Sequence, residues 1–111
     1  MGLKTTNYKL RTKNDYVLAT AYGYIVKCHT DRNSGYADIG VFEDRKSAEI
    51  GSEPFETERI YFTVNRNENP YETAYTESKK QEEKEVYNEE TRKYEKKLVN
   101  RAFTGWEDDR V

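Results

Sequence analysis

The sequence is poor in the residues that build disulfide-bonded, metal-binding and membrane-spanning proteins. It contains one cysteine, Cys28, and one histidine, His29, in 111 residues. A single cysteine cannot form an internal disulfide. No apolar run approaches the roughly 18 residues of a membrane span, and no apolar stretch typical of a signal peptide follows Met1. We therefore expect a protein that has no membrane span and is not secreted through a signal peptide.

Apolar residues are also scarce, which limits the size of the core. Hydrophobic residues make up 34% of the chain, below the usual ~45–50%. Ten tyrosines, four phenylalanines and one tryptophan compensate in part, because an aromatic side chain buries roughly 150–250 Å². The pI is 5.5, whereas nucleic-acid-binding domains more often lie above about 9. We expect one small domain over residues 1–111, with nucleic acid a disfavoured partner.

Period-two alternation of apolar and polar residues predicts a small antiparallel sheet within residues 3–66. Three strands are predicted, over residues 16–30, 36–44 and 58–65. The third is the clearest, because Ile60, Phe62 and Val64 share one face. Tyr8 lies in a stretch that could add a short edge strand. The expected sheet therefore has three or four strands.

Two details of these strands can be tested by the structure. In the first strand, strict alternation places Tyr22, Tyr24, Val26 and Cys28 on one face and Ala19, Ala21, Gly23 and Ile25 on the other. Gly23 marks either a bulge or a close approach by another backbone. Residues 45–57 contain Gly51 and Pro54, and we expect an irregular connection without a helix there.

The C-terminal part of the chain has the composition of a helix. Asn69 and Pro70 predict an N-cap and a first helical residue, and the helical region is predicted over residues 70–104, ended by Gly105. An unbroken helix would be about 50 Å long at ~1.5 Å per residue, longer than a domain of this size. It must therefore bend near Asn88 or project and find a partner. The predicted fold class is α+β, with residues 105–111 as a tail.

No group of residues in the sequence predicts catalysis, a cofactor or a metal site. Cys28 and His29 are adjacent, so on a strand they point to opposite faces. A glycine-rich phosphate loop, a CxxC pair and an HExxH motif are all absent. We therefore predict that the protein is not an enzyme, has no cofactor and has no small-molecule substrate.

Aromatic and apolar residues supply the candidate interaction site. The candidates are Tyr22, Tyr24, Tyr61, Tyr87, Tyr94, Leu98 and Trp106. The strand tyrosines could pair across strands, form a self-association surface or stack on bases or sugars. Trp106 could fold back onto the sheet or, with the acidic residues that follow it, form a docking peptide. Tyr87, Tyr94 and Leu98 would lack an intramolecular partner on a projecting helix, which favours self-association.

Short stretches of the sequence resemble a known group of proteins. They are Ala21-Tyr22, the run from Phe62 to Pro70 that continues into Ala74-Tyr75, and the ending Gly-Trp-Glu-Asp-Asp at residues 105–109. Together they resemble small uncharacterised proteins encoded by phages and prophages of Gram-positive bacteria, often found among virion structural or tail-region genes.

The resemblance covers most of residues 16–111 and implies a role rather than a chemistry. It implies a virion-associated structural or assembly protein that acts by self-association or by docking on other phage proteins. The expected location is the host cytoplasm or the virion. The alternative is a small accessory protein that binds a host protein or, less readily, a nucleic acid.

Overall fold

The computed structural model describes residues 1–12 and 15–109. In these ranges the elements are β1 (Gly2–Lys9), β2 (Val17–Thr30), β3 (Ser34–Phe42), α1 (Arg45–Glu49), β4 (Glu56–Thr63), α2 (Pro70–Lys79), β5 (Glu82–Asn88), β6 (Lys93–Val99) and β7 (Glu107–Asp109). Five strands form an antiparallel sheet in the order β4-β3-β2-β1-β7, and β5 and β6 form a separate antiparallel hairpin. The last two residues of the predicted tail, 110 and 111, lie outside the described residues.

The predicted α+β fold class is wrong, because the chain is mostly β-structure. Strands account for 52% of the structure and helices for 14%, and no long C-terminal helix forms in the described ranges. The three predicted strands are present as β2, β3 and β4, with antiparallel pairing. They are joined by β1, which lies inside the sheet between β2 and β7 rather than at its edge.

The predicted helix begins where expected but ends after ten residues. Asn69 caps it, because its side-chain oxygen accepts a hydrogen bond from the Tyr71 N–H at 2.9 Å. Its buried side consists of Ala74, Tyr75 and Ser78, and the residues one turn further on are polar. Helices in proteins depend on burying an amphipathic face, so nothing holds additional turns against the sheet. Lys80 has extended backbone angles and ends the helix.

The rest of the predicted helix is the β5–β6 hairpin, and the expected bend near Asn88 is its turn. The Arg92 N–H donates to the Asn88 carbonyl at 2.8 Å, and the Glu90 N–H donates to the Asn88 side-chain oxygen at 3.0 Å. Arg92 has a φ of 55°. This turn places Tyr87 directly opposite Tyr94. Gly105, the predicted helix end, lies instead in the turn over residues 102–105, with a φ of 89°.

The five-stranded sheet is curled, so that β1 and β4 meet at one end although β2 and β3 lie between them. The carboxylate of Glu56, at the start of β4, accepts a hydrogen bond from the Tyr8 hydroxyl at 2.5 Å. It also accepts bonds from the backbone N–H groups of Arg11 at 3.0 Å and Thr12 at 3.1 Å. One carboxylate therefore joins the β1–β2 connection to the far side of the sheet.

The main core fills the concave side of the curled sheet. It is formed by Leu3, Leu10, Leu18, Ala21, Ile25, Ala37, Ile39, Val41, Ile60, Phe62, Ala74, Tyr75, Phe103 and Trp106. The Trp106 ring packs edge-to-face on Phe103 at 4.8 Å and on Tyr8 at 5.0 Å between centroids. A Cβ at Gly23 would lie 3.0 Å from the Phe103 ring. The atoms that approach Gly23 belong to the side chains of Phe103 and Ile39 and not to another backbone, and the bulge of β2 lies between Ile25 and Lys27. Both interpretations of Gly23 are therefore wrong.

A bulge in β2 changes which of its residues face the core. The register shifts between Ile25 and Lys27, so one extra residue separates the two halves of the strand. As a result Cys28 packs against the same core as Ile25. The predicted placement of Cys28 on the Tyr22 face is therefore wrong, because the bulge interrupts the alternation after Ile25.

A short helix covers part of the convex side of the sheet. The predicted irregular connection over residues 45–57 contains α1, which begins after Asp44, whose carboxylate accepts from the Ser47 N–H at 2.8 Å. Ala48 of this helix packs with Tyr22 and Phe42 in a second buried cluster. The expectation of no helix there is wrong, because capping by Asp44 and burial of Ala48 stabilise one short turn.

Tyr75 ties α2 to the bulged strand. Its hydroxyl oxygen accepts a hydrogen bond from the buried Ile25 N–H at 2.8 Å and donates to the Met1 carbonyl at 3.3 Å. The hydroxyl therefore bridges the Ile25 N–H and the carbonyl of Met1, the residue that precedes β1. Burial raises the pKa of Tyr75 to about 12.

Replacing Tyr75 by phenylalanine should destabilise the protein. Y75F removes only the hydroxyl and leaves the Ile25 N–H buried and unpaired, at a cost of about 1–3 kcal/mol. The free energy of unfolding from urea titrations measures this loss. The matched control is Y71F on the same helix, where the ring is half-exposed and no loss is expected. Equal stability of Y75F and the parent chain would contradict the assigned hydrogen bond.

Stability should fall in alkaline solution because the fold holds three tyrosines, two buried and one partly buried, as neutral phenols. Burial raises the pKa values of Tyr8, Tyr22 and Tyr75 above the ordinary value, with the Glu56 and Asp109 carboxylates adding to the effect at Tyr8 and Tyr22. The unfolded chain ionises its tyrosines near pH 10, so their contribution is complete below that pH and is lost as the pH rises toward 12 and beyond. Urea titrations across this range should show it, with a shallower slope for Y75F. A constant free energy of unfolding would disprove the linkage.

Candidate functional site

The seven predicted interaction residues lie in four different places. Trp106 is buried in the main core, with 7% exposure. Tyr22 is buried in the second cluster on the convex side, with 4% exposure, and Tyr24 is half-buried beside it. Tyr61 is exposed on the convex side of β4. The remaining three, Tyr87, Tyr94 and Leu98, lie together on the β5–β6 hairpin.

The C-terminal segment folds back onto the sheet instead of forming a free docking peptide. Trp106 is part of the core, and β7 pairs with the beginning of β1. The Lys79 ammonium contacts the Asp108 carboxylate at 2.6 Å, which joins this segment to α2. The structure therefore agrees with the interpretation in which Trp106 folds back onto the sheet and ties down the tail.

Tyr61 belongs to a cluster of rings and charges across β2, β3 and β4. The Tyr36 ring lies between His29, at 5.4 Å, and Tyr61, at 6.2 Å between centroids. The Arg59 guanidinium sits 4.1 Å from the Tyr36 centroid and makes two hydrogen bonds, of 2.8 and 3.2 Å, with Asp38. These bonds hold the pKa of the Asp38 carboxyl below its usual range.

The members of this cluster are largely occupied with one another. The guanidinium of Arg59 covers one face of Tyr36 and is itself neutralised by Asp38, so the cluster stabilises the sheet through cross-strand pairs. Sequence reasoning allowed cross-strand pairs among the strand tyrosines, Tyr36 and Tyr61 included, but it could not show which residues pair, because the contacts of Tyr36 with His29 and Tyr61 depend on the strand register. The sequence shows only the alternation of residues within each strand and not the register between strands.

The β5–β6 hairpin is the most exposed part of the described chain. None of the fourteen residues in its two strands is buried, and the strands make their main contacts with each other. A two-stranded hairpin without a covering layer is marginally stable in water. The hairpin is therefore an arm that leaves the main sheet with no core of its own.

The register of the hairpin sorts its side chains onto two faces. Directly paired residues share a face, and Glu83 pairs with Leu98, Glu85 with Lys96, and Tyr87 with Tyr94. We call the surface made of these six residues the tyrosine face. All six are exposed. Sequence reasoning grouped Tyr87, Tyr94 and Leu98 through a helical seam, and the structure groups the same residues through cross-strand pairing.

The main sheet lies on the other side of the hairpin. Glu82 and Lys84, from the opposite face, line a groove of about 190 Å³ with residues of β4, and the Arg101 guanidinium lies 3.8 Å from the Glu82 carboxylate. No residue of the tyrosine face lines this groove. The tyrosine face is therefore open to an approaching surface along its whole length.

Large apolar side chains remain uncovered on the tyrosine face. The exposed fractions are 49% for Tyr87, 71% for Tyr94 and 68% for Leu98. The two tyrosine rings pack against each other at 5.3 Å between centroids, which fixes their position near the tip of the arm. Rigid aromatic groups flanked by charged residues are typical of protein contact surfaces.

Charge on the hairpin is divided between its strands. β5 carries the glutamates Glu82, Glu83 and Glu85 and one lysine, and β6 carries the lysines Lys93, Lys96 and Lys97 and one glutamate. One strand of the arm is therefore acidic and the other is basic.

A concave surface lies between the end of β4 and α2. It is an open groove of about 820 Å³ lined mainly by polar residues, among them Glu68, Glu72 and Glu77. Within residues 1–12 and 15–109, no three histidine, cysteine, aspartate or glutamate side chains come together to hold a metal ion. The expectation of a protein without enzymatic activity or metal stays a prediction.

Comparisons with protein-family models, curated proteins and solved structures found no match. The resemblance to phage proteins therefore stays a prediction. In the part of the chain that the structure describes, no helix is both long and apolar enough to cross a membrane.

Removing the hairpin should leave the rest of the protein folded. The side chains of Gln81 and Asn100, which flank the arm, are hydrogen-bonded at 2.7 Å, so a two-residue Asn-Gly turn can replace residues 82–99. We expect the shortened protein to unfold cooperatively with a thermal midpoint close to that of the full chain. Loss of the cooperative transition would show that the main sheet depends on the arm.

Proposed function

We propose that this protein is a non-enzymatic assembly protein that self-associates through the tyrosine face of its β5–β6 hairpin. The proposal rests on one observation. Tyr87, Tyr94 and Leu98 lie on the same uncovered face of the hairpin, and the main sheet lies against the opposite face. The virion-associated setting rests on the resemblance alone.

The size of the tyrosine face sets the expected strength of association. Burying a tyrosine or leucine stabilises by roughly 1.5–3 kcal/mol, and association itself costs about 4–15 kcal/mol. Each seven-residue strand spans about 23 Å at ~3.3 Å per residue, so the contact falls below the ~1,200 Å² of a standard interface. We therefore expect weak, concentration-dependent association, which suits a component that works at high local concentration in an assembly.

Two lysine substitutions on the tyrosine face test the proposal. The variant with both Tyr94→Lys and Leu98→Lys loses the two most exposed apolar groups of the hairpin, so it should sediment as a folded monomer at all concentrations. The parent chain should shift from monomer to a larger species between micromolar and millimolar concentration. Sedimentation velocity measures the size, and circular dichroism with thermal unfolding confirms that both proteins are folded.

The matched control places the same substitutions at equally exposed apolar positions outside the hairpin. Ile50 and Tyr61 have exposures of 71% and 68%, equal to those of Tyr94 and Leu98. The variant with Ile50→Lys and Tyr61→Lys should associate like the parent chain. A parent chain that stays monomeric, or a control that dissociates while the hairpin variant does not, would overturn the proposal.

A further inference from the structure

We infer that the association is a closed pair, in which two tyrosine faces meet about a two-fold axis parallel to the strands, with β5 of each copy over β6 of the other. This inference rests on the proposed self-association. It specifies which strands meet and that two copies take part. The tyrosine face of one copy binds the tyrosine face of the other.

The division of charge between the strands selects this arrangement. A two-fold axis in the plane of the interface but perpendicular to the strands would place β5 over β5, so that Glu85 would face Glu85 of the second copy. A two-fold axis normal to the hairpin would pair two identical edges, acidic with acidic or basic with basic. Like charges in direct opposition are destabilising, so both arrangements are disfavoured.

The axis parallel to the strands brings unlike charges and like rings together. Glu85 of one copy then lies over Lys96 of the other, and Tyr87 lies over Tyr94, twice in each pair. Near the base of the arm, Leu98 meets the aliphatic part of Glu83. Partly exposed ion pairs contribute only about 0.2–1 kcal/mol each, so they select the orientation while the apolar groups supply most of the affinity.

The position of the main sheet permits the closed pair. The sheet lies on the opposite face of each hairpin, so in a face-to-face pair the two main sheets are on the outside. An open chain, with β6 of one copy beside β5 of the next, would also match the charges. Neighbouring copies in such a chain would then be spaced about 10 Å apart, which is two strand spacings. The protein itself is at least 20 Å across. That arrangement crowds the main sheets, and the closed pair does not.

Charge reversal tests the arrangement, because one change alters both copies of the contact. E85K places lysine over Lys96, and K96E places glutamate over Glu85, so each variant alone should associate about tenfold more weakly than the parent chain. An equimolar mixture of E85K and K96E should associate again, because every opposed pair between the two chains is then of unlike charge. Sedimentation velocity on each variant and on the mixture gives the dissociation constants.

Two controls separate the contact between copies from the pairing within one hairpin. Each single variant also opposes like charges inside its own hairpin, and the mixture does not relieve that. Recovery in the mixture therefore reports the contact between copies. K84E lies on the opposite face, so it should associate like the parent chain, and the variant that carries both E85K and K96E should do the same.

The outcomes distinguish failure of this inference from failure of the proposed function. A parent chain that remains monomeric contradicts both. A parent chain that associates while E85K associates equally well contradicts only the arrangement, because β5 over β6 requires a loss. Growth beyond the mass of two chains contradicts the closed pair and indicates the open chain.

Discussion

The fold depends on a carboxylate that joins two strands separated by two others in the sheet. Glu56 accepts hydrogen bonds from the Tyr8 hydroxyl and from the backbone of the β1–β2 connection, and these bonds hold the sheet in its curled form. A flat sheet of a chain with few apolar residues would leave its aromatic side chains in water. Curling, together with α2, encloses Phe62, Tyr75, Phe103 and Trp106 in one core.

The curled sheet also decides where the hairpin leaves the domain. Phe103 and Trp106 are held in the concave core, and α2 is held by Tyr75 at the bulge of β2. The chain between them therefore starts and ends at fixed points, and the Arg101 guanidinium donates to the Glu77 carbonyl at 3.1 Å. With both ends anchored, the β5–β6 hairpin extends from the sheet, and its tyrosine face has no partner among residues 1–12 and 15–109.

Local signals in the sequence predicted several elements correctly. Alternation located β2, β3 and β4, and the Asn69-Pro70 pair located the start of α2, because both signals depend only on neighbouring residues. The same reasoning failed over residues 80–104. Glutamate and lysine are good helix formers, and their abundance outweighed the strand preference of Val86, Tyr87, Tyr94 and Val99. A helix over these residues would have no apolar face to bury, so the segment forms a hairpin instead.

By itself the sequence determined the strands β2, β3 and β4 and the start of α2, and the tertiary structure decided which aromatic residues stay exposed and how they are arranged. The sequence left open whether Tyr87, Tyr94 and Leu98 are covered after a bend near Asn88 or need a partner. Their common exposed face arises from the cross-strand register set by the turn after Asn88. The burial of Trp106 and the occupation of Tyr36 by Arg59 likewise depend on contacts between residues far apart in the chain, which local patterns do not encode.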